Sequence, residues 1–344
     1  MPRIRNPTKL GRLLILLLVP ALAGAEPATP DALKLLDDSL SPEVSFRGRM
    51  MVTHWFGKQT RAEEVEVYHG PGNLYRREFL SPDGIVTRVQ VSDGDIEENL
   101  LVKHHKVVSG DAVKSYEKVM KPEREMELLL ANYEISVSTK PDEVAGRKAW
   151  VLELKPKIAG KPWQKLWIDQ EHALILENKR YLPKKRFAVL SRYSRIEVAK
   201  QLDPKLFELS LSSRAVMGGA HGLEPDFKTL EELKKATGKD VSFPLELPAG
   251  FAFESCDDIH WGPQIILHAR YTDGLAVLSL FQTDKPVRLP AGATATIEAP
   301  STKTGSIRWA VVGKVLSWQH GKHYFTLMGD VSTEVLQEIS AKLK

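Results

Sequence analysis

The chain of 344 residues carries 48 Lys and Arg against 44 Asp and Glu, and four of those cations, with no acid, fall in residues 1–25. The remaining 319 residues hold 44 of each sign, which excludes the basic surplus that nucleic-acid binding draws on. That length exceeds what one hydrophobic core organises, so two domains are expected. The single cysteine, Cys256, excludes an internal disulfide and a cysteine-built metal cluster.

Arg3, Arg5, Lys9 and Arg12 precede the apolar run Leu13 to Leu22, and the small residues Ala23-Gly24-Ala25 follow. This is the three-part pattern of a secretory signal, expected to be cleaved after Ala25 and to deliver the chain to the periplasm. The apolar run is shorter than the roughly 20 residues a bilayer span needs. No cysteine follows it, which excludes a lipid-modified amino terminus.

Residues 26–211 read as one β-rich domain. Leu33, Leu36 and Leu40 lie at helical spacing within Asp31 to Leu40. Period-two segments follow: Val65 and Val67 alternate with glutamates, and Ser81-Pro82-Asp83-Gly84 joins strands Tyr75–Leu80 and Ile85–Val91. Ser92-Asp93-Gly94-Asp95 marks the next turn. Pro122 to Asn132 is an amphipathic helix with Met126, Leu129 and Leu130 as its apolar residues. Four strong strands come next, Lys148–Leu154, Gln164–Ile168, Leu174–Tyr181 and Phe187–Val198. Their short connections require antiparallel neighbours and one large curved sheet.

Both faces of those strands are partly apolar. Trp150, Leu152 and Leu154 share one face of their strand. In the next, Trp163 and Trp167 oppose Leu166 and Ile168. Two short helices cannot cover so much apolar face. Either a hydrophobic concavity or contact surface remains, or the second domain or a long loop fills it.

Residues 212–228, with Gly218, Gly219, Gly222 and Pro225, read as a linker, and residues 229–344 as a smaller α+β domain. A helix over Thr229–Ala236 opens it. Strands follow at Ile265–Tyr271, Ala276–Gln282, Ala293–Glu298, Arg308–Val312, Val315–Gln319 and His323–Met328. A closing helix presents Val335, Leu336, Ile339 and Leu343 on one face. The fold class is therefore α+β and β-rich, a large curved antiparallel sheet with few helices followed by a smaller domain.

No constellation of an enzyme stands out, and no cofactor or metal is implied. There is no nucleophile elbow, phosphate-binding glycine loop or helical zinc-protease signature. Ser115-x-x-Lys118 lacks partner motifs. His104-His105 and His320-x-x-His323 lack the third ligand of a catalytic zinc. Asp93, Asp95, Glu97 and Glu98 read as a solvated hairpin tip, since they lack the spacing of a calcium loop. Cys256 reads as a small buried residue sooner than a reactive thiol. Arg180, Lys184, Lys185, Arg186, Arg192 and Arg195 gather on one hairpin. They form either a patch for phosphates or an acidic partner, or an edge protected from aggregation by charge.

Several segments in this order carry a family likeness: Ser45-Phe46-Arg47-Gly48, Tyr75-Arg76-Arg77-Glu78 with Ser81-Pro82-Asp83-Gly84, Val144-Ala145-Gly146-Arg147-Lys148-Ala149, Leu154-Lys155-Pro156 and Leu166-Trp167-Ile168-Asp169. Leu247-Pro248-Ala249-Gly250-Phe251 and the run Tyr271 to Phe281 continue it. In these the chain resembles the MucB/RseB family, periplasmic regulators of envelope-stress sigma factors, whose first domain is similar to the LolA-type lipoprotein carriers. Residues 100–140 match poorly.

The resemblance implies a protein that binds the periplasmic part of a membrane-spanning anti-sigma factor, protects it from proteolysis, and releases it on a lipid or lipoprotein signal. It implies a groove for acyl chains, with Trp150, Leu152, Trp163, Trp167 and Leu129 as candidate walls. The basic hairpin becomes a candidate contact for an anionic headgroup or the partner. A lipid or lipoprotein carrier without a regulatory partner is the alternative. A carrier needs only the first domain, so the second argues for regulation.

Overall fold

The alternating segments pair into two antiparallel sheets in a computed structural model. It describes residues 29–343 except 41, 57–58, 73, 95, 103–105, 112–119, 210–226, 262–263, 287–294, 297–304 and 311–312. The expected signal, most of the linker, His104, His105, Ser115 and Lys118 lie outside the described residues.

The first sheet has twelve strands: β1 (Ser45–Phe56), β2 (Gln59–Gly70), β3 (Leu74–Leu80), β4 (Val86–Asp93), β5 (Ile96–Leu101), β6 (Lys106–Asp111), β7 (Tyr133–Val137), β8 (Asp142–Val144), β9 (Arg147–Pro156), β10 (Trp163–Asp169), β11 (Ile175–Leu182) and β12 (Arg186–Ala199). Their order across the sheet is β6-β5-β4-β3-β2-β1-β12-β11-β10-β9-β7, with β8 beside β9. The meander is broken where β1 pairs with β12 from Ser45↔Ala199 to His54↔Val189, and again at the far edge, where β9 pairs with both β7 and β8. The whole curls into a half-barrel.

Two helices accompany this sheet, α1 (Ala32–Leu40) and α2 (Pro122–Asn132). Pro122 at the first turn of α2 gives up only an amide that has no partner within the helix. Leu35 and Leu36 of α1 and Leu129 of α2 pack on Trp150, Leu152, Leu154, Leu166 and Ile168.

The second sheet runs β13-β14-β15-β16-β20-β19-β18-β17. Its strands are β13 (Glu246–Leu247), β14 (Phe251–Trp261), β15 (Gln264–Thr272), β16 (Val277–Thr283), β17 (Ala295–Thr296), β18 (Gly305–Ala310), β19 (Gly313–His320) and β20 (His323–Gly329). The helix α3 (Leu230–Thr237) begins in a capping box, the Thr229 hydroxyl accepting from Glu232 N while Glu232 returns a carboxylate to Thr229 N. The helix α4 (Thr333–Lys342) buries Val335, Leu336 and Ile339 in the same core as Leu278, Leu280 and Leu327. No helix among the described residues is long and apolar enough to cross a membrane.

Both expected helices of the first sheet, the four strong strands and the antiparallel curved sheet are present. The structure adds β1, β5 to β8, the short β13 and the long strand β14. The segment expected as a strand over 293–298 is described only at Ala295–Thr296. The turn between β8 and β9 explains one of the motifs: Ala145 and Gly146 both take positive φ, 52° and 74°, as a two-residue hairpin turn of the mirror-image type requires.

Candidate functional site

Side chains alternate across a strand, so the register of β9 on β10 decides which aromatics share a face. Trp150 pairs with Ile168 and Leu152 with Leu166, whereas Trp167 pairs with Val151. Trp150 and Leu152 therefore share one face with Leu129, and all three lie in one apolar cluster with both helices. Leu275, from the turn before β16, packs against that cluster too. Of the two ways of treating surplus apolar face, the structure fills this one, partly with the second unit.

Trp163 and Trp167 lie on the opposite face. Trp163 is half-buried and stacks on Tyr181, its partner across β11, with ring centroids 3.8 Å apart. The Trp167 indole donates to Asp142 Oδ2 at 2.8 Å, and that hydrogen bond holds the Asp142 carboxyl below its usual range. The ammonium groups of Lys179 and Lys165 sit 4.4 and 5.2 Å from the Trp167 ring, within cation–π reach. The five expected groove residues thus divide three and two between faces.

The basic hairpin is similarly divided. Arg192 bonds the buried Glu177, and Arg195 bonds Glu66. Arg180 reaches Asp330, after β20, at 4.0 Å. Lys184 is exposed at the turn with φ 64°. The side chains of Lys185 and Arg186 lie outside the described residues. Three of the six cations are therefore partnered by carboxylates, Glu177 on the hairpin's own β11, Glu66 on β2 and Asp330 beyond β20, and the last two sequence proximity could not reveal.

Three other expectations can be placed. Glu97 is half-buried, not at a solvated tip: burial pushes its pKa up, but hydrogen bonds from Tyr75, Gln90 and Asn99 prevail and hold it low. His320 and His323 pair directly across the β19–β20 hairpin, and His323 lies 3.5 Å from Asp240 and 3.4 Å from Asp284. Among the described residues no group of three or more His, Cys, Asp and Glu is placed to hold a metal. Cys256 is fully buried, its thiol pushed up to about 12 by that burial. This is an unreactive thiol.

No family model and no curated protein matches the chain. Solved structures do. Over 90% of this chain and 97% of the other, the architecture is similar to MucB in complex with MucA(peri), at 16% identity and a TM-score of 0.57. The fold is that of MucB. A second MucB structure, from the Pseudomonas aeruginosa MucA/MucB complex, gives the same coverage of both chains at 17% identity and a TM-score of 0.57. The likeness to MucB takes in both sheets in order, as the short motifs had implied.

What the sequence did not reveal is where those motifs meet. Arg147 and Asp169, from two of them, form a bidentate ion pair at 2.9 and 3.0 Å with Asp169 buried. Gly250 and Asp273-Gly274, from two others, meet α2 at the junction between the sheets. The motifs mark structural joints.

Proposed function

We propose that this protein is a periplasmic regulator that binds the periplasmic part of a membrane-spanning anti-sigma factor and shields it from proteolysis, and that lipid or mislocalised lipoprotein acts as the releasing signal. The observation that carries the reading is the likeness to MucB bound to MucA(peri) across 90% of the chain, since a carrier would need only the first sheet. The motifs in both units support the same partner class. A binding protein needs no reacting groups, in keeping with the reading that the chain is not an enzyme.

The lipid-sensing part rests on the cluster of Leu129, Trp150 and Leu152 under α1 and α2. An acyl chain would enter by displacing those helices, because the cluster is already filled. Trp163 with Tyr181, beside Lys165 and Lys179 in their ion pairs with Glu153 and Glu177, provides a separate aromatic face of mixed charge suited to a headgroup or a peptide.

The test is capture of the periplasmic peptide of the host's anti-sigma factor by the purified protein, with and without lipopolysaccharide. Capture that the lipid reverses is expected. Absence of capture, together with acyl chains co-purifying in mass spectrometry, would replace this reading with that of a carrier.

A further inference from the structure

The two sheets meet through a buried polar cluster built on Lys161 and Asp273, neither of them an expected site residue. Lys161, in the loop between β9 and β10, and Asp273, in the turn between β15 and β16, have fully buried side chains with Nζ and Oδ2 3.0 Å apart. Lys161 Nζ also donates to Asn132 Oδ1 at 2.8 Å, and the Tyr133 hydroxyl donates to Asp273 Oδ2 at 3.0 Å. Asn132 Nδ2 donates to the carbonyls of Gly250 and Asp273 at 3.0 and 3.2 Å. The rings of Phe251 and Tyr133 stand 5.2 and 5.7 Å from the ammonium.

The backbones at this junction leave no slack. A Cβ on Gly274 would stand 2.4 Å from Leu129 N, and one on Gly250 would stand 2.0 Å from Asn132 Oδ1. Beside them Ser332 N, at the cap of α4, donates to Gly160 O at 2.6 Å.

We infer that this cluster is an interdomain latch in which the Lys161–Asp273 pair holds the two units in one orientation. A buried ion pair adds little net stability, yet parting its members without water leaves two uncompensated charges. Small displacements are therefore penalised. The junction is either closed with this geometry or opened far enough to hydrate both groups, so it has two states and no continuum between them. Asn132 and Tyr133 stand at the end of α2, so whatever moves that helix bears directly on the latch. The inference is independent of which ligand the protein binds.

The experiment measures the distance between spin labels on Lys140→Cys and Lys235→Cys, exposed positions on the two units, in the full protein. Buried Cys256 escapes labelling. The otherwise unaltered protein should give one narrow distance distribution, as should Lys34→Met, which removes only an exposed ion pair. Lys161→Met should broaden or shift the distribution. So should Asp273→Asn, which keeps the Oδ1 acceptor for Leu275 N and Ala276 N while replacing the Oδ2 that Lys161 and Tyr133 use. Unchanged circular dichroism would show that both variants keep their sheets. Narrow, unshifted distributions in both variants, or a broad one in the unaltered protein, would overturn the latch.

Discussion

Arg147 has two carboxylate partners, the buried Asp169 and the exposed Glu171, and they are not equivalent. Replacing Arg147 by Ala leaves Asp169 charged and buried with only the His172 amide on its Oδ2. Loss of one partner from such a pair costs about 3 kcal/mol, which urea denaturation should register, whereas Glu171→Ala should change the midpoint little. Glu97 makes a prediction about acid. Its folded pKa lies below the ordinary 4.5, so the unfolded chain binds the proton first and the stabilisation is complete above that value. It is lost as the pH falls through the lower folded value. Urea midpoints measured from about pH 5 to about pH 3 should therefore fall less steeply for Glu97→Gln than for the parent.

Among the elements, α2 and α3 differ in what fixes them. Thr229 caps α3 through the reciprocal bond with Glu232, so Thr229→Ala should cost about 1 kcal/mol in thermal or urea unfolding. Leu129 is buried in the cluster that also holds Trp150 and Leu152. Leu129→Ala should cost about 3 kcal/mol by the same measurement, and on the lipid-sensing reading it should also weaken acyl binding. Helix α2 was legible to the residue because Pro122 opens it and its apolar residues fall at helical spacing. The strands β9 to β12 were legible from their alternation. The strand β14 escaped notice because Phe251–Trp261 places Glu254, Asp257, Asp258 and His260 among its apolar residues. Two of them are partnered by β15, Asp257 by His268 and Glu254 by Arg270, which a single strand read alone cannot show, while Asp258 and His260 pair with each other.

At the scale of the molecule, the order of two β-rich units was readable from turns and composition, but their junction was not. Lys161 and Asp273 look like ordinary surface residues of two loops, and only the fold brings them together in a dry contact. The same limit applied to the basic hairpin, where Glu66 comes from β2 and Asp330 from beyond β20. The largest break in the run of neighbouring strands creates a long-range dependency. Strand β1 finds its second partner only in β12, and Arg47 bonds Glu197 across 150 residues. Until β12 has paired, the chain therefore holds a first sheet in two unjoined parts, with the edges of β1 and β11 both open to other chains. Closing so large a loop is slow, so the interval before β12 meets β1 is when these open edges expose the folding chain to aggregation.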